Sequence, residues 1–250
     1  MIFCLVFAII GTCISYTFID LPPSIKYKNR AEYYKKYLGT AFKNILKSKR
    51  LKSLFLYAAI FSSTLAIFKT LMNSLLVDLK IPEIYFGFIT AATQIIAAFS
   101  SRNQNYFHKK FKNRTLSFFA LPLCSLMLIT GLLIVYNTSL AIAFISIFIM
   151  ILFYAIVKGP YNTLIKRYFN SFVSSTIATK IYSLNSMFDS IFRSITYFIT
   201  SYILAKTTTS HALIILGSSL TLIFIFLLDH MKKTVGLKPE EYKSSDTQIG

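Results

Sequence analysis

Residues 181–205 read IYSLNSMFDSIFRSITYFITSYILA, a stretch long enough to span a membrane that is mostly apolar and yet carries a full acid and a full base. At helical spacing Tyr182, Asn185, Ser186, Asp189, Arg193, Thr196 and Thr200 fall on one stripe, and Leu184, Phe188, Ile191, Phe192, Ile195, Phe198 and Ile199 cover the rest. An ionised residue at the centre of a spanning helix costs about 2.5–3.5 kcal/mol on insertion scales, so such residues face a bundle interior or a water-filled cavity. The stretch therefore reads as a membrane helix with one wet side, lining a path for something polar.

Composition agrees. The 250-residue chain is 55% hydrophobic with a mean hydropathy of +0.59, and several apolar runs reach spanning length. No segments alternate apolar and polar as barrel strands do, so the fold class is all-α, a polytopic helical membrane protein. The net charge of +18 does not mark a nucleic-acid binder, because the basic residues lie in short segments between apolar runs, where they set topology. Cys4, Cys13 and Cys124 sit inside apolar runs without metal-ligand spacing. Neither a metal nor a cofactor is implied.

From this stretch the chain divides outward. Residues 1–19 are apolar without the basic leader or cleavage site of a signal peptide, and read as a first span. Residues 20–52 carry ten Lys or Arg and, through Tyr34, Tyr37, Leu38, Phe42, Ile45 and Leu46, form a basic amphipathic linker suited to an anionic leaflet. A six-helix bundle is expected over 53–230, with spans at 53–77, 82–101, 116–136, 140–158, 181–205 and 212–229, and a cytoplasmic tail at 231–250. In span 53–77, Ser62, Lys69 and Asn73 share a second wet stripe. Pro82 suits the first turn of the next helix, where Gly87, Thr90, Gln94 and Ala97 share a side suited to close packing, Gln94 as an interhelical hydrogen-bond partner. Residues 101–114 read as a basic loop. Spans 116–136 and 212–229 have no polar stripe, can meet lipid all round and are expected at the periphery. Lys158, before Gly159 and Pro160, reads as a snorkelling residue at a helix end. The Asn137-Thr138-Ser139 sequon lies too near the bilayer to carry weight.

With about seven spans, 23 of the 27 Lys and Arg residues fall inside, Lys80 and Lys206 fall outside, and Lys69 and Arg193 lie within spans. This puts the amino terminus outside and the carboxy terminus in the cytoplasm. Setting the first helix apart leaves two sets of three, each ending in its most uniformly apolar helix, the order that a 3+3 inverted repeat produces.

In this order the chain resembles the carboxy-terminal half of a major facilitator superfamily transporter over nearly its whole length. Residues 1–18 match the sixth helix, 20–52 the central cytoplasmic loop, and the later spans helices seven to twelve. The basic run His108-Lys109-Lys110-Phe111-Lys112-Asn113-Arg114 stands at the family's loop signature without its acid and glycine, and Ala178-Thr179-Lys180-Ile181-Tyr182-Ser183 is similar to the short lead-in before helix eleven, without its usual arginine. The resemblance implies a secondary transporter half that moves a small-molecule solute, with or without a coupling ion, by rocking against an amino-terminal half. Lys69, Asn73, Gln94, Asp189 and Arg193 are the expected pathway residues. The other class weighed is a non-transporting remnant or accessory subunit. An enzyme is not expected, since Asp189 is the one intramembrane acid and no His lies near it. Abundant Lys, Ile, Asn and Phe with no Trp point to an AT-rich bacterial genome, hence to the plasma membrane.

Overall fold

The computed structural model describes residues 39, 42, 48–111, 115–136, 139–172 and 175–234. The expected first span, nearly all of the basic linker, the sequon turn and the tail beyond 234 lie outside them. The described helices are α1 (Lys49–Asp78), α2 (Ile84–Arg102), α3 (Gln104–Phe111), α4 (Thr115–Val135), α5 (Leu140–Phe172), α6 (Ser175–Lys206) and α7 (Thr209–Thr234). Five of them (α1, α2, α4, α5 and α7) are long and apolar enough to cross a membrane. At 32 residues α6 also has the length, while its serines, threonines, Asp189 and Arg193 dilute its apolar character.

Helix α1 is the central post. Its residues are apolar nearly all round, which requires neighbours on every side. Leu51, Leu54, Tyr57, Phe61, Phe68 and Leu71 are all fully or almost fully buried. It begins at Ser48, whose hydroxyl accepts from Leu51 N at 3.3 Å. It stops where Lys80 adopts φ 55° and the N–H groups of Lys80 and Ile81 return to the carbonyls of Val77 and Leu76. That left-handed stop satisfies two helix-end carbonyls without a glycine. Pro82 then lies in the connecting turn, two residues before α2 rather than inside its first turn, because Glu83 takes the capping position.

The main helix pairings are α1 with α6, α2 with α5, α4 with α7, α1 with α7, and α4 with α5. Exchanging the set α1, α2, α4 for the set α5, α6, α7 returns the same pairings. First packs on second, second on first, and third on third. With three spans per set the two run in opposite senses, so this is the arrangement an inverted repeat produces.

Three expectations change. The third helices do not meet lipid all round: α4 and α7 press one face on each other through Gly131 and Gly217. A Cβ on Gly217 would sit 2.7 Å from Leu128 N, and one on Gly131 would sit 2.9 Å from the Ser210 carbonyl oxygen. Close backbone approach of this kind drives helix association where no hydrophobic effect operates. The span expected to end at Lys158 continues unbroken to Phe172, with Pro160 inside it. The basic loop after α2 is itself helical over Gln104–Phe111, with Arg167 of α5 donating to Asn105 Oδ1 at 3.1 Å.

Candidate functional site

The polar stripe of α6 turns toward α1. Asn185, Asp189 and Thr196 are half-buried, Thr200 is buried, and opposite them Ser62 of α1 is buried. The Ser62 hydroxyl donates to Asp189 Oδ1. The Arg193 guanidinium donates through Nη2 to Asp189 Oδ2 at 2.8 Å and through Nε to Ser62 Oγ at 3.5 Å. The three side chains close a ring across the helix contact. The Asp189 side chain is 18% exposed and that of Arg193 is 47% exposed, so the acid is enclosed while the base opens to one side. A carboxylate in this setting is tolerated because a full positive charge and a hydroxyl both answer it. Asn185 Oδ1 and Thr200 Oγ1, toward the two ends of the stripe, are buried with no hydrogen-bond partner among the described residues.

Helix α5 completes the surroundings. Tyr161 donates its hydroxyl to the Ala58 carbonyl at 2.9 Å and packs its ring 4.6 Å from that of Phe61. One helical stretch away, Tyr154 stacks on Phe68 with ring centres 4.4 Å apart. Lys158 Nζ lies 5.7 Å from the centre of the Tyr154 ring.

Of the expected pathway residues, Asp189 and Arg193 are brought together, and Lys69 is exposed on α1. Asn73 is exposed one turn beyond Lys69 on α1. Gln94 is exposed on α2, whose buried residues are Thr93 and Ala97, and it makes no interhelical hydrogen bond among the described residues. Gly87 has nothing within 4 Å of where a Cβ would stand, so the small-residue side read from the sequence packs within the chain only at its Ala97 end. Sequence reasoning missed Lys158 and Tyr154. Lys158-Gly159-Pro160 resembled a helix end, whereas Gly159 is a crossing point. A Cβ there would fall 1.9 Å from the Ala97 carbonyl oxygen, so only glycine lets α5 meet the backbone of α2. Ser190 and Ser194, which continue an exposed row from Ser186, were also missed, although their four-residue spacing was the available signal. Among the described residues no group of His, Cys, Asp and Glu has the geometry of a metal site.

A mid-helix acid and base enclosed between helices, in a bundle of two exchangeable helix triplets with five membrane-length apolar helices, mark a polytopic membrane protein with a polar interior. The family model described as Major Facilitator Superfamily matches residues 1–195, and the chain belongs to that superfamily. No curated protein and no solved structure matches it.

Proposed function

We propose that these helices form the carboxy-terminal half of an alternating-access transporter, working against an amino-terminal half to move a small solute across the plasma membrane of a bacterium. The Asp189–Arg193–Ser62 ring carries the reading. At about 1.5 Å per residue, Arg193 lies roughly 20 Å along the span from Lys180, which is mid-membrane depth. A charge pair there, open on the Arg193 side, suits a cavity wall and not a lipid-facing surface.

The second helices support the partner half. Both α2 and α6 present small residues that the chain leaves uncovered, Gly87, Ala91 and Ala98 on one and Ser186, Ser190 and Ser194 on the other. These two helices exchange under the repeat, so the uncovered small faces occur as a related pair. Small faces allow backbones of a second bundle to approach closely. Lys69, Asn73, Gln94, Asp189 and Arg193 then line the shared cavity, with Gln94 contributing from α2 once the halves meet.

Cysteine accessibility in the assembled transporter tests the pathway. With the native cysteines replaced, cysteines at Asn73 and Ser186 should react with a membrane-impermeant hydrophilic thiol reagent, and those at Ile223 and Phe226 on the far side of α7 should not. Inert cysteines at both Asn73 and Ser186 would overturn the reading.

A further inference from the structure

At the end of α2 that the loop charges assign to the cytoplasm, α2, α3 and α5 enclose an open cavity of about 570 Å³. Its lining changes character along α2. Ile96 and Phe99 belong to the span, while Ser100 and Asn103 stand at its end; Ile156 of α5 adds to the apolar part, and Tyr106 and Phe107 of α3 complete the mouth.

Packing fixes these walls. The backbones of α2 and α5 meet beside the cavity at Ala97 and Gly159. Phe107 sets its ring edge-on to Phe119 of α4, with centres 6.1 Å apart, and Asn105 accepts from Arg167 of α5 at 3.1 Å. Helix α3 is therefore held on two sides.

Charge at the mouth has one sign. Residues 84–188 contain nine Lys or Arg and no Asp or Glu, and the run from Arg102 to Arg114, directly after α2, supplies five of the nine. Lys110 brings its charge to the lining, since its Nζ donates to the Tyr106 hydroxyl at 3.3 Å and lies 5.5 Å from the centre of that ring. An apolar slot that leads out of a span into amide, hydroxyl and ammonium donors has the polarity order of a phospholipid, acyl chain first and phosphodiester after it.

We infer that this cavity seats an anionic membrane phospholipid, with an acyl chain against Ile96, Phe99 and Ile156 and its phosphate among Ser100, Asn103, Tyr106 and Lys110. A soluble anion would use only the mouth, and a lipid without net charge would gain nothing from the excess of cations. An anionic lipid uses both. The inference goes beyond transport, since it needs only a membrane bundle with this end in the cytoplasm.

The chain has no Trp, so Phe99→Trp, at an exposed position, puts a single emitter in the lining. The purified full chain is reconstituted in phosphatidylcholine vesicles containing increasing fractions of phosphatidylglycerol or phosphatidylcholine brominated on the acyl chains, and Trp quenching is measured. Brominated phosphatidylglycerol should quench saturably, reaching half its effect at a fraction about tenfold or more below that of brominated phosphatidylcholine. Lys110→Gln should raise that fraction about fivefold, as expected for one cation near a membrane surface, and Lys110→Arg should restore it. Asn103→Asp, an acid in the mouth, should also raise it. Lys52→Gln, on α1 at the same end of the bundle, should not change it, and a lone Trp at Phe226 on the exposed face of α7 should be quenched equally by both lipids. Equal quenching of Phe99→Trp by the two lipids would mark an ordinary lipid-facing surface, and no quenching would mean that protein covers the cavity. A preference lowered as much by Lys52→Gln as by Lys110→Gln would mean diffuse attraction to a basic surface. Each of these three results would overturn the inference.

Discussion

Ser62 of α1 donates its hydroxyl to the carboxylate of Asp189 on α6, tying together helices whose positions in the chain are 127 residues apart. The bond makes the Asp189–Arg193 pair more than an intrahelical i, i+4 contact, since α1 and α6 cannot separate without exposing a carboxylate edge.

Replacing Ser62 by Ala should therefore lower stability by about 1.5–3 kcal/mol, the usual range for a hydrogen bond to a charged group. Ser62→Thr should recover most of it. Unfolding of the purified chain in detergent measures both, and an unchanged Ser62→Ala would mean that the ring does not couple the helices.

Asp189 and Arg193 respond as a pair. Asp189→Asn or Arg193→Gln alone leaves one charge unanswered in the membrane, which should cost about 3–5 kcal/mol where the site is closed and less on the open Arg193 side. The double exchange, Asp189→Arg with Arg193→Asp, should keep more folded protein than either single change if the pair is structural only, and should still lose transport if Arg193 meets solute. Arg193→Ala with both expression and transport unchanged would rule out either role.

Glycine substitutions separate internal contacts from faces that await a partner. Gly159→Ala places a methyl group 1.9 Å from the Ala97 carbonyl oxygen and should cost at least the 1–3 kcal/mol typical of overpacking, about enough to reduce folded yield. Gly87→Ala meets nothing within 4 Å and should be neutral or stabilising in the isolated chain. A bulky Gly87→Leu should leave the isolated chain folded and weaken its association with the amino-terminal half, measured by co-purification.

The charge pattern gives a topology to check. Cysteines placed at 79–83 and 207–210 should label from outside intact cells, and those at 103–107 only after permeabilisation. The reverse pattern would contradict the positive-inside argument.

Much of this fold was legible before any coordinates. The helical periodicity of 53–77 and 181–205 and the loop charges were enough to give an all-helical membrane bundle, and the wet stripes led to Ser62, Asp189 and Arg193, which meet. What escaped was set by contacts between distant helices. Gly159 and Pro160 look like a helix stop to any local rule, but α2 packs against Gly159 and the helix runs on, carrying Lys158 into the bundle. In the same way α4 and α7 show no polar stripe, and their mutual burial depends on where Gly131 and Gly217 fall against the facing backbone. Residues 104–111 read as a loop because the segment is short and basic between two spans, although Phe107 and Phe111, four residues apart, were the available signal of an amphipathic helix.

The central claim is that this bundle transports only in company with a facing half. Left in lipid alone, the α6 stripe and Lys69 lack their cavity, and the chain should insert, self-associate or be degraded without moving solute. The direct measurement is solute flux in proteoliposomes containing the purified chain, with and without a co-expressed amino-terminal half of the same superfamily. Saturable flux that appears only with both halves is the predicted result. Saturable flux from the isolated chain as a monomer would contradict it.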